Sequence, residues 1–241
     1  VTAFGALVDV TLRGLLGRRR TLLMVLLAAL PVLVGLLIRL GGGRSDAPEI
    51  LDTLVIRTVL PLIALVFGTA SIGSEIEDGT VVFLLAKPVA RWRTALAKLA
   101  VAAGLTAALT VPPIIVTALL VEGFVGDSVS TAFGFALAAM AGGTAYAAAF
   151  AALGVVTSRA LVIGLAYTLL WEGVLAGLLE GTRFMSIRQG TLGVAAALTG
   201  EDVGVDVLTP VVSVAILTIV VVGGFLLTTR ALIRFQIRSA D

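Results

Sequence analysis

The chain of 241 residues contains no cysteine and no histidine. The first absence removes disulfides and thiol nucleophiles, and the two together remove Cys/His zinc sites and histidine general bases. Intramembrane metalloproteases need a histidine pair, and serine proteases of the rhomboid type need a base histidine, so neither class fits. Charge is also scarce. Asp, Glu, Lys and Arg make up 13% of the chain, about half the share in an ordinary soluble domain. The only lysines are Lys87 and Lys98, each preceded by alanine. No Gly-Lys-Ser/Thr phosphate loop is therefore expected, and no ATP hydrolysis by that route. The acids that could share a divalent metal, Glu75, Glu77 and Asp78, sit in one cluster with no second acidic motif on a facing segment. That argues against an intramembrane phosphotransferase.

What is present in excess is apolar surface. Hydrophobic residues make up 59% of the chain and the mean hydropathy is +1.13. The excess is too large for one water-soluble core, and lipid is the natural solvent for it. Six apolar segments approach or exceed the roughly 20 residues that a spanning helix needs: 21–40, 54–73, 95–120, 131–156, 161–179 and 208–228. They lack the alternation of barrel strands. The expected class is all-α, a polytopic integral membrane protein forming one domain over 1–241. Arg18, Arg19 and Arg20 precede the first segment as in a signal peptide, but an apolar run from Thr21 to Ile38 is long enough to be a retained span.

Basic residues set the orientation. With the N-terminus inside, twelve of the 17 lysines and arginines fall on the inner side and five on the outer, where the loops carry mostly acids. Both termini are expected to be cytoplasmic in a multi-pass protein of the plasma membrane. The pI near 9.5 reflects arginines at the membrane ends, and no nucleic-acid partner is implied.

Residues 2–17 are too short and too charged for a span. Phe4, Leu7, Val8, Leu12, Leu15 and Leu16 recur at helical spacing, with Asp9 and Arg13 off the stripe. This predicts an amphipathic helix in the inner interface, in contact with membrane lipid, or else packed on the protein's own bundle. Residues 180–207, before the last span, hold a short apolar stretch, Leu192–Leu198. It predicts an external helical segment or a re-entrant hairpin buried in protein. Arg57 and Glu172 are ionisable groups within or at the end of spans. They are candidates for a substrate path or gate, with snorkelling to the outer interface as the plain alternative. Pro61 and the pair Pro112-Pro113 predict kinks, and Gly142-Gly143 predicts close helix packing.

The most informative stretch is 73–93. Glu75, Glu77 and Asp78 close the second span, and Gly79 permits a chain reversal. Thr80 can cap the next turn, Val81–Ala86 is an apolar run too short to span, and Pro88 suits the first turn of another helix. Arg91, Arg93 and Lys98 lead into the third span, with Trp92 at the interface. The order of an acidic pair, Gly79-Thr80, an apolar run and Pro88-Val89-Ala90-Arg91 after the second span resembles the signature of ABC-2-type transporter permeases. The six-span layout, the N-terminal helix and the segment before the last span extend the resemblance over essentially the whole chain.

The resemblance implies a permease that pairs with a second copy or a related permease and docks an ABC ATP-binding subunit. That subunit would bind ATP and Mg, and this chain would bind no cofactor. Glu75, Glu77, Asp78, Gly79, Thr80, Pro88 and Arg91 are implied to form the coupling helix that receives the ATPase's push. Export follows from the resemblance alone, and the apolar lining points to a lipophilic small molecule or drug. Two other classes are kept: an ATP-independent secondary transporter or channel, which would favour charges deep in the bundle and inverted repeats, and a non-transporting membrane anchor or assembly factor.

Overall fold

Helices stop where glycine lets the chain turn. In the computed structural model, which describes residues 3–42, 46–77, 90–123, 126–175, 180–200 and 207–238, the described regular elements are all helical. Helix α1 spans Ala3–Leu15 and α2 spans Arg18–Leu40. Helix α3 covers 47–77 in three parts: an opening turn (Ala47–Ile50), a π-helical stretch (Leu51–Val59) and an α-helix (Leu60–Glu77). Helix α4 (Arg91–Glu122) and α5 (Gly126–Val156) follow. Helix α6 starts as an α-helix (Ala160–Ala166) and widens into a second π stretch (Tyr167–Leu175). A 3-10 turn (Glu180–Met185) leads to α7 (Ile187–Thr199), and α8 is Pro210–Arg238. Gly123 (φ 87°) ends α4 and Gly200 (φ 71°) ends α7, each bonding its N–H to the carbonyl four residues back. Their backbone falls in a region that favours glycine.

The bundle is organised around α5, which is rich in alanine and mostly buried. A Cβ on Gly154 would lie 2.7 Å from the Thr69 carbonyl of α3, and one on Gly224 of α8 would lie 2.6 Å from the Ala148 carbonyl. Such backbone approach is how helices pack when lipid removes the hydrophobic drive between them. Gly142 abuts Thr191 of α7, and Gly143 abuts Thr106 and Leu60, so the glycine pair serves packing within the chain. By contrast, only 17% of the most apolar stretch of α2 and 22% of that of α8 are buried. Leu37 (68% exposed) and Val211 (80%) are among the apolar side chains left facing outward. In water this surface would aggregate, whereas in a bilayer it meets lipid.

One end of the bundle is basic. Ile72 of α3, Ala95 of α4, Val155 of α5 and Leu232 of α8 form a cluster there, near the start of α4 with Arg91, Arg93 and Lys98. Helix α1 lies on α4 near this end, with Val8, Leu12 and Leu15 packed in the same cluster as Leu99, Val101 and Ala102. Its Asp9 and Arg13 pair on the exposed side at 3.0 Å. Pro112 and Pro113 lie inside the continuous α4, on the wall of an apolar groove it forms with α2.

Among the described residues, five helices are long and apolar enough to cross a membrane: α2, α3, α4, α5 and α8. At the expected span 161–179 the described residues form the apolar helix α6 as far as Leu175, and 176–179 lie outside them. In the segment before the last span, Ile187 to Gly193 is buried against the bundle, as is Ala195. Gly134 of α5 faces Leu198 and Thr199, while Gly142 faces Thr191. Helix α7 therefore runs antiparallel to α5, with its N-terminus near the middle of the bundle and its C-terminus toward the end opposite the basic one. It begins beside Glu172 of α6.

Candidate functional site

A helix that begins in the middle of a membrane bundle has four N–H groups without helical partners and no water to satisfy them. The sequence solves this at α7 with two residues. Ser186, the N-cap, accepts a hydrogen bond on Oγ from the Gln189 N–H (3.1 Å), and its own N–H bonds the Arg183 carbonyl (3.2 Å). The remaining two N–H groups, of Ile187 (2.9 Å) and Arg188 (3.5 Å), point at Oε1 of Glu172 on α6. The Glu172 carboxylate also accepts from the Tyr167 hydroxyl (2.8 Å) and, on Oε2, from Ser186 Oγ (2.5 Å). It is 1% exposed. A carboxylate at a helix N-terminus is favoured by the helix dipole as well as by these bonds. The Tyr146 hydroxyl, fully buried on α5, lies in the field of the same carboxylate but outside hydrogen-bonding geometry.

A second charge pair joins α7 to α3. Arg188 donates from Nε to Asp52 Oδ1 at 3.0 Å, and its Nη2 meets Oδ2, a two-pronged bond between side chains that are 7% and 10% exposed. Arg57, five residues along the same π stretch, donates to the Gly173 carbonyl of α6. Asp52 and Arg57 thus lie on the π part of α3, and Glu172 and Gly173 on the π part of α6. Two carboxylates and two guanidiniums meet where α3, α6 and α7 converge. Among the described residues no group of three or more acids comes together as a metal cage. What this arrangement can do is hold a helix end, or release it.

The sequence flagged Arg57 and Glu172 but left their role open. Glu172 does not snorkel: it is enclosed and bonded to α7. Arg57 is exposed and engages the last turn of α6. Nothing in the local sequence pattern singles out Asp52 or Arg188. The sequence did carry a signal for Ser186, because Ser-Ile-Arg-Gln (186–189) before an apolar run has the spacing of a capping box. Only half of that box forms. The Ser186 N–H is taken by the Arg183 carbonyl (3.2 Å), which leaves Gln189 Oε1 without a partner.

Of the expected coupling residues, the described ones lie at the basic end. Asp78, Gly79, Thr80 and Pro88 fall in 78–89, outside the described residues. Glu75 and Glu77 are in the last turns of α3, and Arg91 opens α4, half-buried. Close by, Lys98 of α4 is 1% exposed and donates from Nζ to the Ser71 carbonyl of α3 at 2.7 Å. Lys98 was read as an inner-side cation, but its ammonium is buried and ties the two helices that flank 78–89. An open cavity of about 150 Å³ lies at this end, lined by Arg20, Thr69, Gly73, Thr157 and Ser158 among others.

Helices with outward apolar faces, a half-helix starting inside the bundle and buried charges capping its end define a multi-pass α-helical membrane protein. The chain belongs to the ABC-2 family of transporter proteins: the family model described as ABC-2 family transporter protein matches residues 16–177. That span runs from just before α2 through α6 and includes the 73–93 stretch. No curated protein is similar enough to the chain to count as a relative.

Proposed function

We propose that the chain is the permease subunit of an ATP-driven exporter, working as a pair of permeases with a separate ABC ATP-binding subunit. The observation that carries this reading is family membership over 16–177, a match that includes the acidic, Gly-Thr and Pro-Val-Ala-Arg stretch between α3 and α4. In this reading the basic end is cytoplasmic, in the plasma membrane. Glu75, Glu77, Asp78, Gly79, Thr80, Pro88 and Arg91 form the elbow on which the ATPase pushes. Lys98 supports the elbow by holding α4 on α3 (Nζ to the Ser71 carbonyl, 2.7 Å), so a push on 78–89 moves both helices together. ATP and Mg belong to the partner, and the cargo is a lipophilic small molecule or drug.

The test is co-purification of the tagged chain with an ATPase whose turnover in proteoliposomes depends on this chain. Replacing Gly79 with tryptophan should leave the protein in the membrane and abolish that dependence. Transport driven by an ion gradient, with no ATPase partner, would favour the secondary-transporter reading. The balanced charges at the centre of the bundle are the one feature that speaks for that alternative.

A further inference from the structure

We propose that Asp52, Glu172 and Arg188 form a latch on the N-terminus of α7 that opens and closes in each transport cycle. The proposal rests on the permease reading above and names a moving part near the middle of the bundle.

Three observations carry it. First, α7 is held in two unlike ways. It meets α5 and α8 through small residues: Gly142 against Thr191, and Gly190 and Gly193 against Leu217 and Ser213. It meets α6 and α3 through charges, Glu172 on its first N–H groups and Asp52 on Arg188. Apolar packing in a membrane has one dry state. A charged contact has two: paired when dry, and separated when water can solvate each member. Entry of water along a path at α7 would compensate the loss of the pairs, so the closed and open forms can be close in energy.

Second, a buried ion pair adds little stability over matched apolar side chains, and its best-attested use is in fixing a register or a switch. Asp52 and Arg188 are 136 residues apart in the chain, so their pairing fixes the register of α7 against α3.

Third, both acids of the latch stand on π-helical stretches of nine residues each. Such widened helix is rare and collects at functional sites. The Leu60 N–H bonds the Val55 carbonyl, and Thr58 Oγ1 bonds the Thr53 carbonyl, each five residues back. Tightening either stretch to α-geometry rewinds it about its axis. That turns Asp52 away from Arg188, or Glu172 away from Ile187, without unfolding the helix. The elbow at 78–89 lies at the other end of α3, so a push there travels along the helix that carries Asp52.

The chain has no cysteine, so introduced thiols are unique. The experiment uses the full chain with its ATPase partner in proteoliposomes. A Ser186→Cys variant is treated with a membrane-impermeant maleimide, at rest and after trapping with ATP and vanadate. Labelling should be slow in one state and several-fold faster in the other. In an Asp52→Cys/Arg188→Cys variant, a short bifunctional thiosulfonate should remove most of the ATPase turnover that this variant shows before bridging, and reduction should restore it. Equal labelling in both states, or full turnover with the bridge in place, overturns the latch. If wild-type chain neither binds nor stimulates an ATPase, the permease reading fails and the latch as a transport step fails with it. Normal stimulation with unchanged labelling sinks the latch alone. The single-cysteine labelling decides the matter should the double variant not assemble.

Discussion

The basic end of the bundle and its middle are held by opposite means. At the basic end, α3, α4, α5 and α8 continue past one another as unbroken helices. Their backbones touch through Gly154 and Gly224, Ile72, Ala95, Val155 and Leu232 form a small apolar cluster, and Lys98 adds one buried bond to a carbonyl. Where α7 starts inside the bundle, the Glu172 carboxylate and the Ser186 hydroxyl meet its first N–H groups, and Arg57 meets the Gly173 carbonyl of α6. The difference follows from the solvent. A continuous helix in lipid satisfies its own backbone, so side chains are free to be small and apolar. A broken one exposes N–H and C=O groups that only polar side chains can meet. Charge is concentrated inside the bundle where the backbone is interrupted, and the same interruption creates a part that can move.

The sharpest way to break the comparison is to strand a charge. Arg188→Met leaves the Asp52 carboxylate buried without its partner and should destabilise the protein by about 3–5 kcal/mol, read as a lower thermal midpoint in detergent. Adding Asp52→Leu should restore most of that stability, because a matched apolar pair is close to neutral. The double variant should nevertheless stay deficient in coupled ATPase turnover. Recovery of both would mean that the pair is structural only.

Glu172→Ala removes the acceptor for the Tyr167 and Ser186 hydroxyls and the Ile187 N–H. A loss of about 2–3 kcal/mol is expected. Glu172→Gln keeps an acceptor oxygen and should lose clearly less, and a thermal-shift comparison of the two variants checks the order. At the basic end, Lys98→Met exchanges a buried ammonium for an apolar side chain of similar length. Its cost should be only about 1–2 kcal/mol, but ATPase stimulation should fall if Lys98 braces the elbow. The smallest effect is expected at Asp9 and Arg13, whose side chains are 54% and 79% exposed. Asp9→Ala should change the midpoint by no more than about 0.5 kcal/mol equivalent.

Legibility in the sequence followed the same divide. Where helices run unbroken, composition is enough. Five of the six expected spans coincide with helices long and apolar enough to cross, and most of the basic residues gather toward one end. Where a helix starts inside the bundle, composition says less. Leu, Val and Ile dominate 161–179, and nothing local shows that the helix widens at Tyr167. Leu192–Leu198 is too short to cross, and nothing in its composition shows that α7 packs on α5 and α8. Glu172 could be flagged as costly at membrane depth, yet its partners are 14 to 16 residues further on, and Asp52 and Arg188 are 136 residues apart.

The sequence by itself determined the solvent and the class: too much apolar surface for water, no histidine or cysteine chemistry, helices rather than strands, and the ABC-2 motif between the second and third spans. Only the tertiary structure decided which charges meet and which helix starts inside the bundle. Hydropathy sums over neighbours along the chain, whereas an ion pair and a helix cap depend on groups brought together from distant parts of it. In a membrane those long-range polar contacts are few and strong, so each of them fixes much of what the local pattern leaves free.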